Sequence, residues 1–561
     1  MSGTIEAAKP GEMTGGQALV AQLIVEGAKD IFAIPGIQLD WAVDAIRQRS
    51  NELRLIVPRH EQATSYMADG YARTTGREAV CMVVPGPGML NALSGIATAY
   101  ACNAPVLFIV GQIPSNTIGA GHGMLHEIPD QSGVLKAMTK WHGIAKSPAD
   151  IPGLVHEAFV QLRSGTPRPV ALEVPPDVLQ ATGPVSLLPR AERVRQAPAA
   201  DAIARAAHAL AGARNPVICA GGGAVASGAS DAIRALAERL QAPVVMSEAG
   251  RGLIDDRHPL ALIGLGGRAV LPHADVVLVA GSRFLDGTAQ PTDKRDGVTY
   301  IYLNTNPAHM GAPRAEGIAL EGDVQAGAEA LLAAIGAGEA PSAADRVARV
   351  KQWCAQQIDA IRPQHDYVQA LRSTMADDDI LVSELTQVGY YSNIAFPVYG
   401  PHRFVTPGYQ GTLGYGFNTA LGAAHGNPDR RVVSLNGDGG FSWGMQELAT
   451  LARDQLNASI VVFVDGKFGN VQRIQRRVFG AEFGTDVASP DFELLGRAYG
   501  LPTTITDSPD GLRDALRAAK ERGGPALIAV KVGEMPSPWA LIHPFVPSPV
   551  PVPPNPLGDP A

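Results

Sequence analysis

Two apolar runs confine this chain more tightly than anything else in it. Val432-Val433-Ser434-Leu435-Asn436 breaks at Gly437-Asp438-Gly439-Gly440, and Ile460-Val461-Val462-Phe463-Val464 breaks at Asp465, 27 positions after Asp438. Each reads as a buried strand stopped by a tight turn. Glycines let the backbone come close to an anion, and a following helix offers N–H groups to phosphate. A carboxylate in such a loop would repel phosphate unless a hard cation stood between them. Magnesium takes one or two carboxylates plus phosphate oxygens. Neighbouring parallel strands would deliver Asp438 and Asp465 to one rim of a sheet, where open α/β sheets bind ligands. Gly-Asp-Gly alone is also common in ordinary turns.

The rest of the chain supports a parallel architecture. Apolar runs recur at Ala79–Val84, Val106–Val110, Pro169–Val174, Pro216–Ala220, Val276–Val279 and Tyr300–Leu303, with amphipathic stretches between them. That alternation predicts parallel sheets with helices on both faces. At 561 residues the chain is too long for one core, so three domains are expected. The predicted divisions are 1–183, 190–340 and 360–535. The segment 536–561 forms a tail with ten prolines. It either runs as an extended polyproline end or, through Trp539, His543 and Phe545, folds over the site as a lid.

Charge and cysteine usage exclude several classes. A net charge of −8 argues against a nucleic-acid binder. Cys81, Cys102, Cys219 and Cys354 are scattered without a CxxC pair, which points to a reducing cytoplasm and away from a zinc site. Neither a signal peptide nor a membrane span is expected.

Further motifs carry a resemblance. Arg59-His60-Glu61-Gln62-Ala63 precedes Met67-Ala68-Asp69-Gly70-Tyr71-Ala72-Arg73, and Gly86-Pro87-Gly88-Met89-Leu90-Asn91 follows. Gly411-Thr412-Leu413-Gly414-Tyr415-Gly416-Phe417 precedes the Asp438 loop. In this order the motifs resemble those of the thiamine diphosphate enzymes, in the branch with acetohydroxyacid synthase, pyruvate oxidase, benzoylformate decarboxylase and oxalyl-CoA decarboxylase. The resemblance covers roughly residues 12 to 535. It implies three doubly wound α/β domains: pyrimidine-binding, central Rossmann-like and diphosphate-binding.

By the family pattern, Asp438, Asp465 and the Lys467 carbonyl hold Mg2+, with Asp465 standing where the family has Asn. Gly437, Gly439 and Gly440 line the diphosphate loop. The Gly411 carbonyl accepts from the aminopyrimidine, Leu413 wedges the cofactor into its bent form, and Asn91 lies in the pyrimidine half. Glu61 is the carboxyl that drives the pyrimidine to its proton-abstracting tautomer. Read alone, Glu61 would be a helix N-terminal acid, and Leu413 plain core. The resemblance also implies a homodimer or homotetramer with the active site at the subunit interface.

The substrate is where the pattern departs. Leu125-His126-Glu127 falls where acetohydroxyacid synthase has Phe-Gln-Glu, so His126 is a candidate proton carrier to the substrate. Ile474 stands where the synthase selects its second 2-oxo acid with Trp, near Asn470 and Gln472. In the middle domain Gly221-Gly222-Gly223-Ala224-Val225-Ala226 fits a dinucleotide fingerprint loosely, with Glu248 about one βα unit on. Relatives bind FAD, ADP or coenzyme A there. Arg283-Phe284-Leu285-Asp286-Gly287 departs at two of five positions from the synthase's FAD stretch, so FAD is not expected. The leading expectation is a C–C lyase or carboligase acting on a 2-oxo acid, acetolactate-synthase-like. The alternatives are a 2-hydroxyacyl-CoA lyase and a non-catalytic cofactor-binding regulatory subunit; Glu61 together with the metal loop argues against the last.

Overall fold

The computed structural model describes residues 11–285, 295–338, 340–543, 546, 548 and 551–559. Three six-stranded sheets carry the fold, all of them parallel, together with a two-stranded antiparallel pairing of Glu12–Thr14 with Thr182–Pro184. The strands Ala79–Val83, Val106–Gly111 and Val170–Val174 are buried at every position, as sheets covered on both faces require.

One compact unit comprises Met1–Val194 with two later excursions, Asn418–Asn427 and Gly444–Leu456. Its sheet runs Arg54–Ile56, Asp30–Ala33, Ala79–Val83, Val106–Gly111, Val170–Val174, His142–Ile144. Beside it lies the helix Glu61–Thr75, which ends at Gly76 in the left-handed region. Any β-carbon at Gly70 would collide with the Thr419 carbonyl, and one at Gly422 with the Met67 carbonyl. Glycine at these two positions lets the later excursion pack directly on the helix backbone.

The second unit comprises Arg195–Phe417, Pro428–Trp443 and Asn457–Ala561, and holds two sheets. One runs Ala261–Ile263, Val244–Met246, Pro216–Ala220, Val276–Ala280, Thr299–Asn304, Gly317–Glu321, the 3-2-1-4-5-6 order of a dinucleotide-type fold. The other runs Phe404–Val405, Ile380–Ser383, Val432–Gly437, Ala458–Val464, Ala526–Lys531, Thr503–Thr506. Numbered by chain order within each sheet, this one and the sheet of the first unit share the order 2-1-3-4-6-5. The repeated fold shows in the strand order, although the two sequences show no visible symmetry.

The proline-rich tail is tied down where it is described. It forms a short helix, Trp539–Ile542, whose Ala540 carbonyl accepts from Arg268 Nη1 at 2.8 Å. Further on, Trp353 Nε1 donates to the Pro553 carbonyl at 2.9 Å. Phe545 lies outside the described residues. Among the described residues, no helix is long and apolar enough to cross a membrane.

Candidate active site

Asp438 and Asp465 follow adjacent parallel strands, in register at Gly437 and Phe463. The turn after Gly437 is a single helical turn, Asp438–Phe441. Its Gly439 N–H is already donated to Asp438 Oδ1, at 3.0 Å. Asp438, only 2% exposed, also accepts from the Gly466 N–H at 2.8 Å and from Ser489 Oγ at 2.5 Å, both at Oδ2. Asp465 accepts from the Lys467 N–H at 3.1 Å and from Gln387 Nε2 at 2.9 Å. Burial, and then the charge of Asp438, hold the Asp465 carboxyl above its ordinary range. The charge of Asp438 beside the Asp465 carboxyl is what a hard cation relieves, and the oxygen donors of the two suit Mg2+.

Gln387 was not singled out in the sequence. It opens the helix Gln387–Ala395 that follows the strand Ile380–Ser383, and it joins Asp465 to the last part of the domain by donating to the Gly533 carbonyl at 3.1 Å and accepting from the Met535 N–H at 2.7 Å. An amide after a buried strand carries no motif of its own, so only the fold reveals it.

Glu61 opens its helix, as the sequence predicts. His60 caps it, Nδ1 accepting from the Gln62 N–H at 3.2 Å. The carboxylate of Glu61 accepts from Asn91 Nδ2 at 3.0 Å, so the structure joins two of the expected site residues. The approach to the helix is fixed from below. Glu447 is fully buried and accepts from the Arg59 N–H at 2.9 Å, the His60 N–H at 3.0 Å and Thr450 Oγ1 at 2.7 Å. Glu447 was also missed in the sequence, because it lies 386 positions from Glu61.

His126 belongs to a loop rich in left-handed residues: Gly119, Gly121, Gly123 and His126 itself at φ 68°. Glu127 organises it by accepting from the Gly121 and Met124 N–H groups, at 3.1 and 2.8 Å. A β-carbon at Gly86 would collide with the His126 carbonyl, while one at Gly88 would lie 3.7 Å from Glu61 Cγ. The Gly86–Asn91 segment therefore has His126 against one end and Glu61 against the other. Nδ1 of His126 is buried without a hydrogen-bond partner. Gly411 adopts φ 58°, and Leu413 is exposed, not core. Lys467 is exposed and bridges antiparallel to Asp486.

Apolar side chains surface on the helix Gly469–Phe479, which follows Asp465. Val471 (51% exposed), Ile474 (44%) and Val478 (58%) line one stripe, and only Gln472 is buried. The start of this helix is pinned by the tail, since Trp539 Nε1 donates to Asn470 Oδ1 at 3.2 Å and its ring packs on Tyr390.

The glycine turn of the central sheet is closed. The Gly221 and Gly223 N–H groups donate to the Ala280 and Gly281 carbonyls, each at 2.9 Å. β-Carbons at either glycine would collide with Gly281. These glycines serve close packing of two strand ends, and Glu248 is bonded by Thr406 Oγ1. Of the run after Ser282, Asp286 and Gly287 lie outside the described residues.

Three family models match the chain in sequence order. They are the thiamine pyrophosphate enzyme N-terminal TPP-binding domain at residues 13–134, the central domain at 203–331 and the C-terminal TPP-binding domain at 386–530. Among curated proteins, the chain is 35% identical to a probable 2-ketoarginine decarboxylase of Pseudomonas aeruginosa, over 92% of this chain and 94% of that one. It is 32% identical to a probable acetolactate synthase large subunit of Methanocaldococcus jannaschii, over 93% and 92%. It is 30% identical to the acetolactate synthase isozyme 1 large subunit of Escherichia coli, over 97% and 98%.

Proposed function

We propose that this chain, which belongs to the thiamine pyrophosphate enzymes, is a decarboxylase or carboligase that cleaves the C1–C2 bond of a 2-oxo acid. The observation that carries the reading is the pairing of Glu61 with Asn91 in a chain that also sets two carboxylates on adjacent strand ends. A non-catalytic subunit would have no use for an oriented Glu61. Decarboxylase and synthase relatives over nearly the whole chain support the same class.

When bound, thiamine diphosphate supplies a carbanion nucleophile and an electron sink. The chain's own residues do the rest. Asp438, Asp465 and the Lys467 carbonyl would hold Mg2+, and Gly437, Gly439 and Gly440 would line the loop that takes the diphosphate. Gly411 and Leu413 would hold the pyrimidine ring. Glu61, held by Asn91, keeps a proton at the pyrimidine N1′. His126 carries a proton to or from the substrate. Sites of this kind are completed by a second copy, so we assign a homodimer or homotetramer acting on a small molecule. The domain limits read from the sequence remain part of this proposal. Four free cysteines support a reducing, cytoplasmic setting.

The exposed stripe of Val471, Ile474 and Val478 supports an apolar 2-oxo acid side chain over a guanidinium, which would call for a carboxylate. The closed Gly221–Gly223 turn supports a central domain without FAD, ADP or coenzyme A at that turn, and so disfavours a 2-hydroxyacyl-CoA lyase. The test is product analysis with thiamine diphosphate and magnesium, offering pyruvate, 2-oxobutanoate, 5-guanidino-2-oxopentanoate, benzoylformate and a 2-hydroxyacyl-CoA. Carbon dioxide release from an apolar 2-oxo acid is expected. Turnover of the thioester alone would overturn the assignment.

A further inference from the structure

Glu384 follows the strand Ile380–Ser383, beside Val432–Gly437. The strand order reverses between these two, and ligands of open α/β sheets bind where it does. Its carboxyl group is buried, 3% exposed. Oε1 accepts from the Gly414 N–H at 2.9 Å, and Oε2 is buried without a hydrogen-bond partner. Burial pushes its pKa up to about 8, against the pull of the Gly414, Tyr415 and Gly437 backbone N–H groups; among the described residues it makes no ion pair.

Gly440 faces the Glu384 carboxyl and Gly389 its backbone, while Gly416 packs beside it and more tightly on Asn436 Oδ1 and the Leu435 carbonyl. A β-carbon at Gly440 would collide with both carboxylate oxygens, one at Gly416 would lie 2.9 Å from Glu384 Cβ, and one at Gly389 would collide with the Glu384 carbonyl. Gly414 closes the segment that begins at Gly411 and Leu413. Gly440 closes the loop that holds Asp438. A carboxyl group buried without a cation is costly, and plain packing at this place would be better served by an apolar residue. We propose that Glu384 is a positioning residue that locks the Gly411–Gly414 segment to the Gly437–Gly440 loop, so that both form one rigid bed for thiamine diphosphate. The inference rests on the cofactor assignment above and adds a residue to it.

The test is calorimetric titration of the full-length protein with thiamine diphosphate at saturating magnesium, beside thermal unfolding of the cofactor-free protein. Glu384→Ala should weaken binding by at least about tenfold, the weight of one hydrogen bond to a buried acceptor. Its cofactor-free unfolding temperature should hold, since the change also removes a buried polar oxygen that has no hydrogen-bond partner. Glu384→Gln keeps the acceptor for the Gly414 N–H and should bind within about threefold of the native protein. Native-like binding by Glu384→Ala overturns the proposal, and so does failure of Glu384→Gln to restore it. Should the alanine variant not fold, Glu384→Asp takes its place. Its shorter reach withdraws the carboxylate from Gly414 and Gly440, and native-like binding by that variant overturns the proposal equally. A native protein that binds no thiamine diphosphate would overturn the cofactor assignment itself, a distinct result.

Discussion

Replacing Glu447 with glutamine should slow the chemistry assigned to Glu61 without touching Glu61. Both oxygens of Glu447 are in use: the Arg59 N–H meets Oε1 and Oε2, the His60 N–H meets Oε1, and Thr450 meets Oε2. Glutamine leaves one oxygen as acceptor and turns an NH2 toward groups that themselves donate. One charge-assisted bond is lost, worth about 1.5–3 kcal/mol, and removal of a buried charge offsets part of it. A net destabilisation of about 1–2 kcal/mol should lower the melting temperature by on the order of 5 °C for a unit of this size. Glu447 is held above its ordinary 4.5, chiefly by burial. The folded protein therefore binds that proton more tightly than the unfolded chain, so ionisation costs stability as pH rises from about 4.5 through the folded value. The glutamine variant lacks this loss, and its stability should vary less across that window. The loosened Arg59–His60 backbone misaims Glu61, for which a loss of about 10- to 100-fold in C2 proton exchange is expected. Thermal unfolding at several pH values and deuterium exchange at C2 are the assays. Native melting together with native exchange would show that Glu447 does not hold Glu61 in place.

Other substitutions separate metal, proton and nucleotide roles. Asp438→Ala removes a cation ligand and leaves the Gly466 N–H and Ser489 without their acceptor; thiamine diphosphate affinity should fall by at least about 100-fold on titration with magnesium present. Asp465→Asn keeps an oxygen ligand and removes the repulsion from Asp438, so cofactor binding should persist; its loss at saturating magnesium would undo the ligand assignment. His126→Gln should lower turnover and alter its pH profile while C2 exchange stays native, and an unchanged profile at full activity would make His126 a bystander. Purified protein should show no flavin absorption, because the Gly221 and Gly223 N–H groups are already spent on Ala280 and Gly281; a stoichiometric yellow chromophore released on denaturation would contradict this.

Much of this was legible in the sequence because it is local. Apolar runs such as Ala79–Val84 and Tyr300–Leu303 appear as strands within a residue of their expected limits. Glu61 opens a helix because an extended His60 caps it. Asp438 and Asp465 end strands that prove adjacent. What escaped notice is set by contacts distant in sequence. Glu447 reaches Arg59, Gln387 reaches Asp465, and Glu384 fits among Gly389, Gly416 and Gly440, and none of these carries a local pattern. The glycine turn at 221–223 is ambiguous in sequence for the converse reason. A phosphate loop and a close crossing of strand ends ask for the same residue, and only the hydrogen bonds tell them apart.

Exchange of the thiamine diphosphate C2 proton for deuterium in Glu61→Gln tests the central claim most directly. The claim is that this carboxyl group, oriented by Asn91, drives cofactor activation. The variant should still bind cofactor and magnesium but exchange at least about 100-fold more slowly than the native protein. Exchange at the native rate, with cofactor bound, would contradict it.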